Sequence, residues 1–198
     1  EYDRGKLSQQ EWIRISEKYK GKKVVFFVGR HVTYKGLTYL LRAERFIKSD
    51  CVILIGGTGP LTKQLKLENQ SARVEFLGRL SDEALLAYHY LADVFVLPSI
   101  TKNEAFGLVL AEGMFCETPA VTFVIDGSGV NWVNLHGVTG LEVENGNVEM
   151  LAKAIDELLT NDGMRAEFAH NAKKRVEENF LVGQIDSKLK SLYQELIG

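Results

Sequence analysis

The chain has almost no charge of one sign to spare. Lys and Arg number 24 and Asp and Glu 26, a net charge of −2, which gives no basic footprint for nucleic acid or an acidic membrane surface. Cysteine is scarce. Cys51 and Cys116 are the two present; both sit inside apolar stretches and read as buried thiols, so no disulfide framework is expected. No apolar run approaches the ~18 residues that span a bilayer, and no signal peptide is visible. A reducing cytoplasm is therefore the expected setting. Tandem repeats and low-complexity segments are absent. No His/Cys cluster and no closely spaced carboxylate pair has metal-ligand spacing, and no Ser-His-Asp arrangement is suggested. The first residue is Glu1 rather than Met, as expected of a fragment of a longer protein. What remains is 45% hydrophobic and 25% charged in 198 residues, the balance of a globular protein of one ordinary domain or two small ones.

Strands and helices alternate along the chain. Residues 1–7 read as polar and poorly ordered. Ser8 can cap a helix to about Tyr19, with Trp12, Ile15 and Tyr19 on one face. Apolar runs at 24–28, 51–55, 74–77, 94–97 and 120–124 read as strands, and 141–143 as a small one. The first, VVFFV, is continuous, as expected of a strand buried on both faces of a parallel sheet. Helices are expected from Lys35-Gly36 to about Lys48, over 61–70, from Ser81 to Leu91, from near Ala105, and near 130–135. Three more follow at 147–160, 162–179 and about 184–197. The alternation predicts an α/β fold, a doubly wound, Rossmann-like parallel sheet. Residues 1–22 form a linker and leading helix, 23–180 the sheet domain, and 181–198 a closing helix. That last helix carries an apolar stripe, Ile185, Leu189, Leu192, Tyr193 and Leu196, which needs a partner.

The chain is organised around residues 92–119, ADVFVLPSITKNEAFGLVLAEGMFCETP. Pro98 ends a strand because it cannot donate to a ladder. The helix beyond is apolar nearly all round, so Glu112 on it is expected to be buried, at a cost unless it is paired. It can form a salt bridge, or accept two hydroxyl hydrogen bonds from a ligand. Glu104 is expected just before the helix, where a carboxylate either anchors the dipole or meets a ligand. Gly107 lets a ligand approach N–H groups without intrahelical partners.

Other loops hold further candidates. Arg30 leaves the carboxyl end of a strand, and Lys35 stands at a helix start, where a cation asks for an anion. Both also read as solvated surface cations. His31 reads as ordinary surface. Gly56-Gly57-Thr58-Gly59-Pro60 resembles a phosphate loop in outline but lacks the G-x-G-x-x-G and Walker spacings. Ser81 is an N-cap, with Asp82 and Glu83 dipole partners or base contacts. Arg30, Gly57, Gly78, Glu104 and the 125–129 loop all fall at strand carboxyl ends and are expected to line one crevice. Cations for phosphates and carboxylates for sugar hydroxyls describe a nucleotide-sugar.

The pattern resembles the C-terminal, donor-binding domain of retaining glycosyltransferases with the GT-B fold, of the family 4 (group 1) type that builds bacterial lipopolysaccharide, capsule and glycolipid sugars. The resemblance covers about residues 23–196. Its anchors are VGRHVTYKG, GGTGP, VEFLGRLSDE and ADVFVLPSITKNEAFGLVLAEG. It implies that Arg30 and Lys35 hold the donor diphosphate and stabilise its charge as it leaves. Glu104 would bind hydroxyls of the donor sugar and Glu112 those of the ribose. The N–H groups of Phe106, Gly107 and Leu108 would meet sugar and phosphate. Gly57 would line the floor, and the Gly78–Asp82 corner, with Leu80 and Asp82, would face the base. It further implies no metal and no cofactor beyond the UDP- or GDP-linked donor, and retention by front-face attack assisted by the leaving phosphate. The implied partners are the protein's own N-terminal domain, which carries the acceptor site, and a glycan or lipid-linked acceptor. The implied location is cytoplasmic or peripheral at the inner membrane face. On this reading the isolated chain binds nucleotide weakly and transfers nothing, and its last helix leaves the apolar stripe exposed.

The chain departs from the family pattern in three places. Gly113-Met114-Phe115-Cys116-Glu117 stands where the family usually has Ala and then Met-Ala-Cys-Gly. Glu117 replaces the usual glycine, at ~1 kcal/mol if the position is left-handed. Asp126-Gly127-Ser128-Gly129-Val130-Asn131-Trp132 stands where Gly-Gly and a Glu are usual. The N-terminal domain is absent. Two alternatives are a sugar-nucleotide epimerase of the same architecture, for which only His31 is a candidate, and a stand-alone nucleotide-binding module. A reading frame of roughly 350–400 residues would favour the transferase.

Overall fold

The apolar runs assemble into one six-stranded parallel sheet. Its strands are β1 (Lys23–Val28), β2 (Cys51–Gly56), β3 (Val74–Gly78), β4 (Val94–Leu97), β5 (Ala120–Phe123) and β6 (Gly140–Val143), in the order β3-β2-β1-β4-β5-β6. This computed structural model describes residues 2–197, and for 185, 187–189, 191, 192, 196 and 197 the backbone alone. Every neighbouring pair is parallel, with Val25 of β1 opposite both Ile53 and Val94. Val24–Phe27 and Val94–Leu97 are at most 1% exposed, so helices cover both faces, as a parallel sheet requires. The order reverses between β1 and β4, and open α/β sheets bind ligands outside the strand carboxyl ends at such a reversal.

The helices are α1 (Gln9–Lys18), α2 (Leu37–Ala43), α3 (Thr62–Glu68), α4 (Asp82–Leu91), α5 (Leu108–Phe115), α6 (Val130–Val133), α7 (Val148–Thr160), α8 (Asp162–Asn179) and α9 (Val182–Ile197). Ser8, Ser81, Asn147 and Asn161 cap α1, α4, α7 and α8 through their side chains, each satisfying a backbone donor that a helix start leaves open. The apolar stripe of α7 buries Leu151, Ile155, Leu158 and Leu159, each worth about 1.5–3 kcal/mol of transfer free energy. No described helix is long and apolar enough to cross a membrane.

Three local expectations are corrected. Residues 2–7 take a defined structure: Asp3 caps a one-turn 3-10 helix, Arg4–Lys6, by accepting from Gly5 N at 2.7 Å, and the half-buried Leu7 packs against the core. The helix after β1 begins at Leu37 and not at Lys35. Thr33–Lys35 form a 3-10 turn and Gly36 is left-handed, with φ 64°. A Cβ at Gly36 would lie 1.8 Å from the Pro98 carbonyl, so the loops after β1 and β4 touch through this glycine. The helix after β4 begins at Leu108 and not near Ala105, because Gly107 takes a left-handed conformation, φ 79°. Glu117 is left-handed, φ 61°, in the position where glycine was missed. Thr118 N donates to Gly113 O and Glu117 N to Met114 O, closing the end of α5. The stripe residues Ile185, Leu189, Leu192 and Leu196 lie outside the described side chains, and Tyr193 of that stripe is exposed.

One carboxylate of α7 holds the segment that enters β2. Asp156 accepts from Lys48 N, Ser49 N and Ser49 Oγ at 2.6–3.1 Å, just before β2. Burial alone would raise its pKa, but the Ser49 and Lys48 hydrogen bonds outweigh it and hold the carboxyl below its usual range. A folded-state pKa below the unfolded one contributes stability above the unfolded value, and that stability is lost as pH falls through the folded one. Urea melts at stepped pH should show wild-type stability falling below about pH 4, and Asp156→Asn should flatten part of that fall while lowering stability at pH 7.

Candidate functional site

The loops at the carboxyl ends of β1, β2 and β4 meet through glycines. Gly57, at φ 94°, would place a Cβ 2.0 Å from the Gly29 carbonyl, and Gly59 would place one 2.5 Å from the His31 carbonyl. Only glycine allows these backbones to approach so closely, and the floor of the crevice is backbone rather than side chain. His31 is fully buried beneath this floor, contrary to the surface role expected from sequence. Its Nδ1 is 2.9 Å from Thr62 Oγ1 and its Nε2 3.3 Å from the Gly56 carbonyl. A carbonyl can only accept, so Nε2 carries a proton, and in the neutral ring Nδ1 accepts from the Thr62 hydroxyl. Burial, opposed by the Gly56 bond, lowers its pKa below the usual imidazole value. Thr62 Oγ1 in turn accepts from Gly59 N at 2.8 Å. His31 thus shapes the glycine turn from below.

Lys35 and Glu104 meet across the reversal point. Lys35 Nζ lies 2.5 Å from Glu104 Oε2, and the two side chains are only 11% and 9% exposed. Ser99 Oγ donates to the same oxygen at 2.9 Å. Glu104 stands four residues before the helix, so it does not serve as the dipole anchor expected of it. It is held instead by a cation from the loop after β1. The loop after β5 closes on the same point: Ser128 Oγ donates to the Glu104 carbonyl, and Gly129 N donates to the Ala105 carbonyl at 2.7 Å. Arg30 is exposed, and among the described residues nothing binds its guanidinium. The reading of both cations as solvated surface fails for Lys35 and stands for Arg30.

Beyond Glu104 the chain presents backbone donors. The N–H groups of Phe106, Gly107 and Leu108 donate to no other group among the described residues. The Phe106 ring is turned aside into an aromatic cluster with Trp132 at 6.1 Å and Phe180 at 5.3 Å, with Arg175 over the Trp132 and Phe180 rings. Leu108 is exposed.

Glu112 is half-buried rather than buried, because its helix is short and its face opens onto the groove beside α4. Its charge, after burial, helps to raise the pKa of the nearby Tyr2 phenol. At the far corner, Leu80 packs on the backbone of Gly56, where an added Cβ would lie 2.9 Å away. Ser81 Oγ accepts from Ala84 N at 3.2 Å, which leaves Asp82 exposed and lining a cavity of about 280 Å³ together with Tyr2, Lys6, Glu83 and Leu86. The structure therefore gathers Arg30, Lys35, Gly57, Glu104, Phe106, Gly107 and Leu108 along one edge, and sets Glu112 and Asp82 around a second focus at Tyr2. Sequence reading missed Tyr2, Ser99 and Ser128. Only proximity in the fold marks them, apart from Ser99, whose place beside Pro98 at a strand end was visible. Among the described residues no three His, Cys, Asp or Glu side chains stand together as a metal site.

Comparison with known proteins bears on this arrangement. The family model described as "Glycosyl transferases group 1" matches residues 8–175. The chain is 31% identical over 180 residues to O-antigen chain mannosyltransferase C of Escherichia coli, covering 89% of this chain and 48% of that protein. It is 34% identical over 163 residues to D-rhamnosyltransferase WbpZ of Pseudomonas aeruginosa, covering 81% and 42%. The chain thus spans about half the length of these relatives. Among solved structures, HepE of Anabaena in complex with UDP and glucose superposes with a TM-score of 0.80 at 21% identity, over 95% of this chain and 53% of that one; the likeness is one of fold.

A double-mutant cycle tests whether the Lys35–Glu104 tie is the buried pair it looks like. Lys35→Ala leaves a buried carboxylate without its counter-charge and should cost about 3–5 kcal/mol by denaturant melts. Lys35→Met with Glu104→Leu should recover most of that loss. Equal losses in the single and double variants would contradict the pairing.

Proposed function

Because this chain belongs to the group 1 glycosyl transferases and has the fold of the C-terminal half of a GT-B enzyme, we propose that it is the nucleotide-sugar-binding half of a retaining hexosyltransferase. The observation that carries this reading is the buried Lys35–Glu104 pair beside N–H groups that have no acceptor among the described residues, with the uncommitted cation of Arg30 on the rim. Two buried charges cost several kcal/mol of desolvation. A site whose paired charges also meet a ligand gives that cost a use.

The donor diphosphate is read as entering over Gly29 and Gly57. Arg30 and Lys35 neutralise it, and Lys35 can do so without releasing Glu104, since its ammonium has three donors. Glu104 then accepts hydroxyls of the donor sugar, and Glu112 those of the ribose. Phe106, Gly107 and Leu108 donate backbone N–H groups to sugar and phosphate, and the Gly78–Asp82 corner, with Leu80 and Asp82, faces the base. In transfer, the bond between the anomeric carbon and the phosphate oxygen breaks while the acceptor oxygen bonds the same face of that carbon. The acceptor proton passes to the leaving phosphate, whose charge the two cations stabilise as it develops. No metal is needed in this scheme.

The acceptor is read as a glycan or lipid-linked sugar of bacterial surface polysaccharide, as the names of the relatives suggest. A second domain of the full-length protein would hold it, at the inner face of the membrane. The isolated chain is then a binder without transferase activity. The epimerase alternative loses ground, since its one candidate histidine is buried under the glycine turn.

Calorimetric titration with UDP, GDP and ADP tests the reading. One nucleotide should bind with 1:1 saturation. Arg30→Ala and Glu112→Gln should each weaken it by about 10-fold or more, the loss of a charged hydrogen bond. Arg30 is the cleaner probe, because its removal leaves no buried partner behind. Equal affinity in wild type and both variants would contradict the site, and sugar transfer by the isolated chain would contradict its role as half of an enzyme.

A further inference from the structure

The stretch after β5, where the sequence departs from the family pattern, backs the turn that presents the N–H groups of Phe106, Gly107 and Leu108. Ser128 Oγ donates to the Glu104 carbonyl, and Gly129 N to the Ala105 carbonyl at 2.7 Å. A Cβ at Gly129 would lie 2.6 Å from that same Ala105 oxygen, so the two segments touch backbone to backbone. Trp132 then meets the Phe106 ring at 6.1 Å. This backing segment is in turn held from α8. α6 is only four residues long, and a helix end leaves carbonyls without intrahelical donors. Arg175 supplies donors: its Nε bonds the Val133 carbonyl at 3.0 Å and its Nη2 the Trp132 carbonyl. The guanidinium also lies over the Trp132 and Phe180 rings, at 5.8 and 5.5 Å. Phe180 meets Trp132 edge-on at 5.0 Å and Phe106 at 5.3 Å. Burial alone lowers the Arg175 pKa, with no carboxylate opposing it. Burying part of a cation without a counter-charge is costly, and the planar guanidinium suits this place because it can bond two carbonyls while stacking on rings.

Resting on the donor-site reading above, we propose that Arg175 is a positioning residue for the sugar-bearing phosphate of the donor. It touches no substrate. It fixes Trp132, Trp132 and Phe180 fix the Phe106 ring, and the ring fixes the turn whose N–H groups receive that phosphate. The turn needs such a brace because Gly107, at φ 79°, is a residue that other backbone conformations suit equally well. α5 holds the chain on one side of this glycine, and the aromatic cluster holds it on the other. Donors fixed before the ligand arrives lose less ordering entropy on binding than donors on a loose turn. The cavity beside Asp82 lines the other focus of the site, so the brace serves the phosphate end and not the base. A helix distant from the strand carboxyl ends is thereby part of the donor machinery.

The test separates the two phosphates. Wild type and Arg175→Met are titrated by amide NMR with UDP, GDP and ADP, and the best-bound diphosphate is compared with its monophosphate, which lacks the sugar-bearing phosphate. Methionine keeps an apolar stem on the rings while removing the donors and the charge. A thermal melt checks folding, and Phe180→Leu, which loosens the same cluster from its other side, carries the test if Arg175→Met does not fold. The proposal expects the variant to weaken the diphosphate by about 5- to 10-fold and to leave the monophosphate nearly unchanged. The amide resonances of Phe106, Gly107 and Leu108 should already be displaced in the variant without ligand. Equal loss for both nucleotides would make Arg175 merely structural and overturn the proposal. Those three amides standing at their wild-type positions would overturn it too. If wild type itself binds none of the three diphosphates, the donor-site reading fails and the role of Arg175 with it. If wild type binds and the variant binds equally well, only the role of Arg175 fails.

Discussion

A single ion pair holds the functional edge of this domain in shape. Lys35 comes from the loop after β1 and Glu104 from the loop after β4, and they meet where the strand order reverses. Ser99 adds a hydrogen bond to the carboxylate, and Ser128 brings the loop after β5 onto the Glu104 backbone. Three connections are thus referred to one residue. A surface pair would be worth little in stability, but this one is shielded, and losing one partner strands the other. The tie also explains why the crevice needs no side chains in its floor. Gly36, Gly57 and Gly59 let the backbones close to contact, and the charged pair locks them there.

The same geometry divides the work between two foci. One, around Lys35, Glu104 and the donors of Phe106–Leu108, pairs a cation with polar acceptors and suits a phosphorylated sugar. The other, around Glu112, Asp82 and Tyr2, has acceptors and a cavity but little positive charge, and suits the uncharged nucleoside. A nucleotide-sugar has this polarity along its length. Preorganised sites of this kind lose little ordering entropy when ligand arrives, and His31, neutral and tied at both nitrogens, keeps the glycine turn from relaxing.

The fold was legible from sequence because continuous apolar runs such as Val24–Val28 and Val94–Leu97 have one physical use, a strand covered on both faces. The placement of Arg30, Gly57 and Glu104 at strand carboxyl ends followed from that alone. The local chemistry was less legible. Gly107 reads as a helix residue until its left-handed φ is known, and this displaced the helix start and gave Glu104 the wrong anchor. His31 reads as surface because the glycine turn that buries it is distant in sequence. Glu112 was expected to be buried in an apolar helix, but an eight-residue helix leaves its flank open. Tyr2 could not be found, since its partners Tyr90 and Cys116 lie 88 and 114 residues away along the chain. Glu117, standing where glycine usually ends the helix, is left-handed and braced by Lys173 at 2.6 Å.

The most direct measurement is a crystal structure of this chain with its preferred nucleoside diphosphate bound. The diphosphate should lie over Gly29 and Gly57, within hydrogen-bond reach of the Arg30 guanidinium and the Lys35 ammonium, with both ribose hydroxyls on Glu112. A nucleotide bound away from the β1–β4 reversal, or oriented with its phosphates beyond both cations, would contradict the central claim.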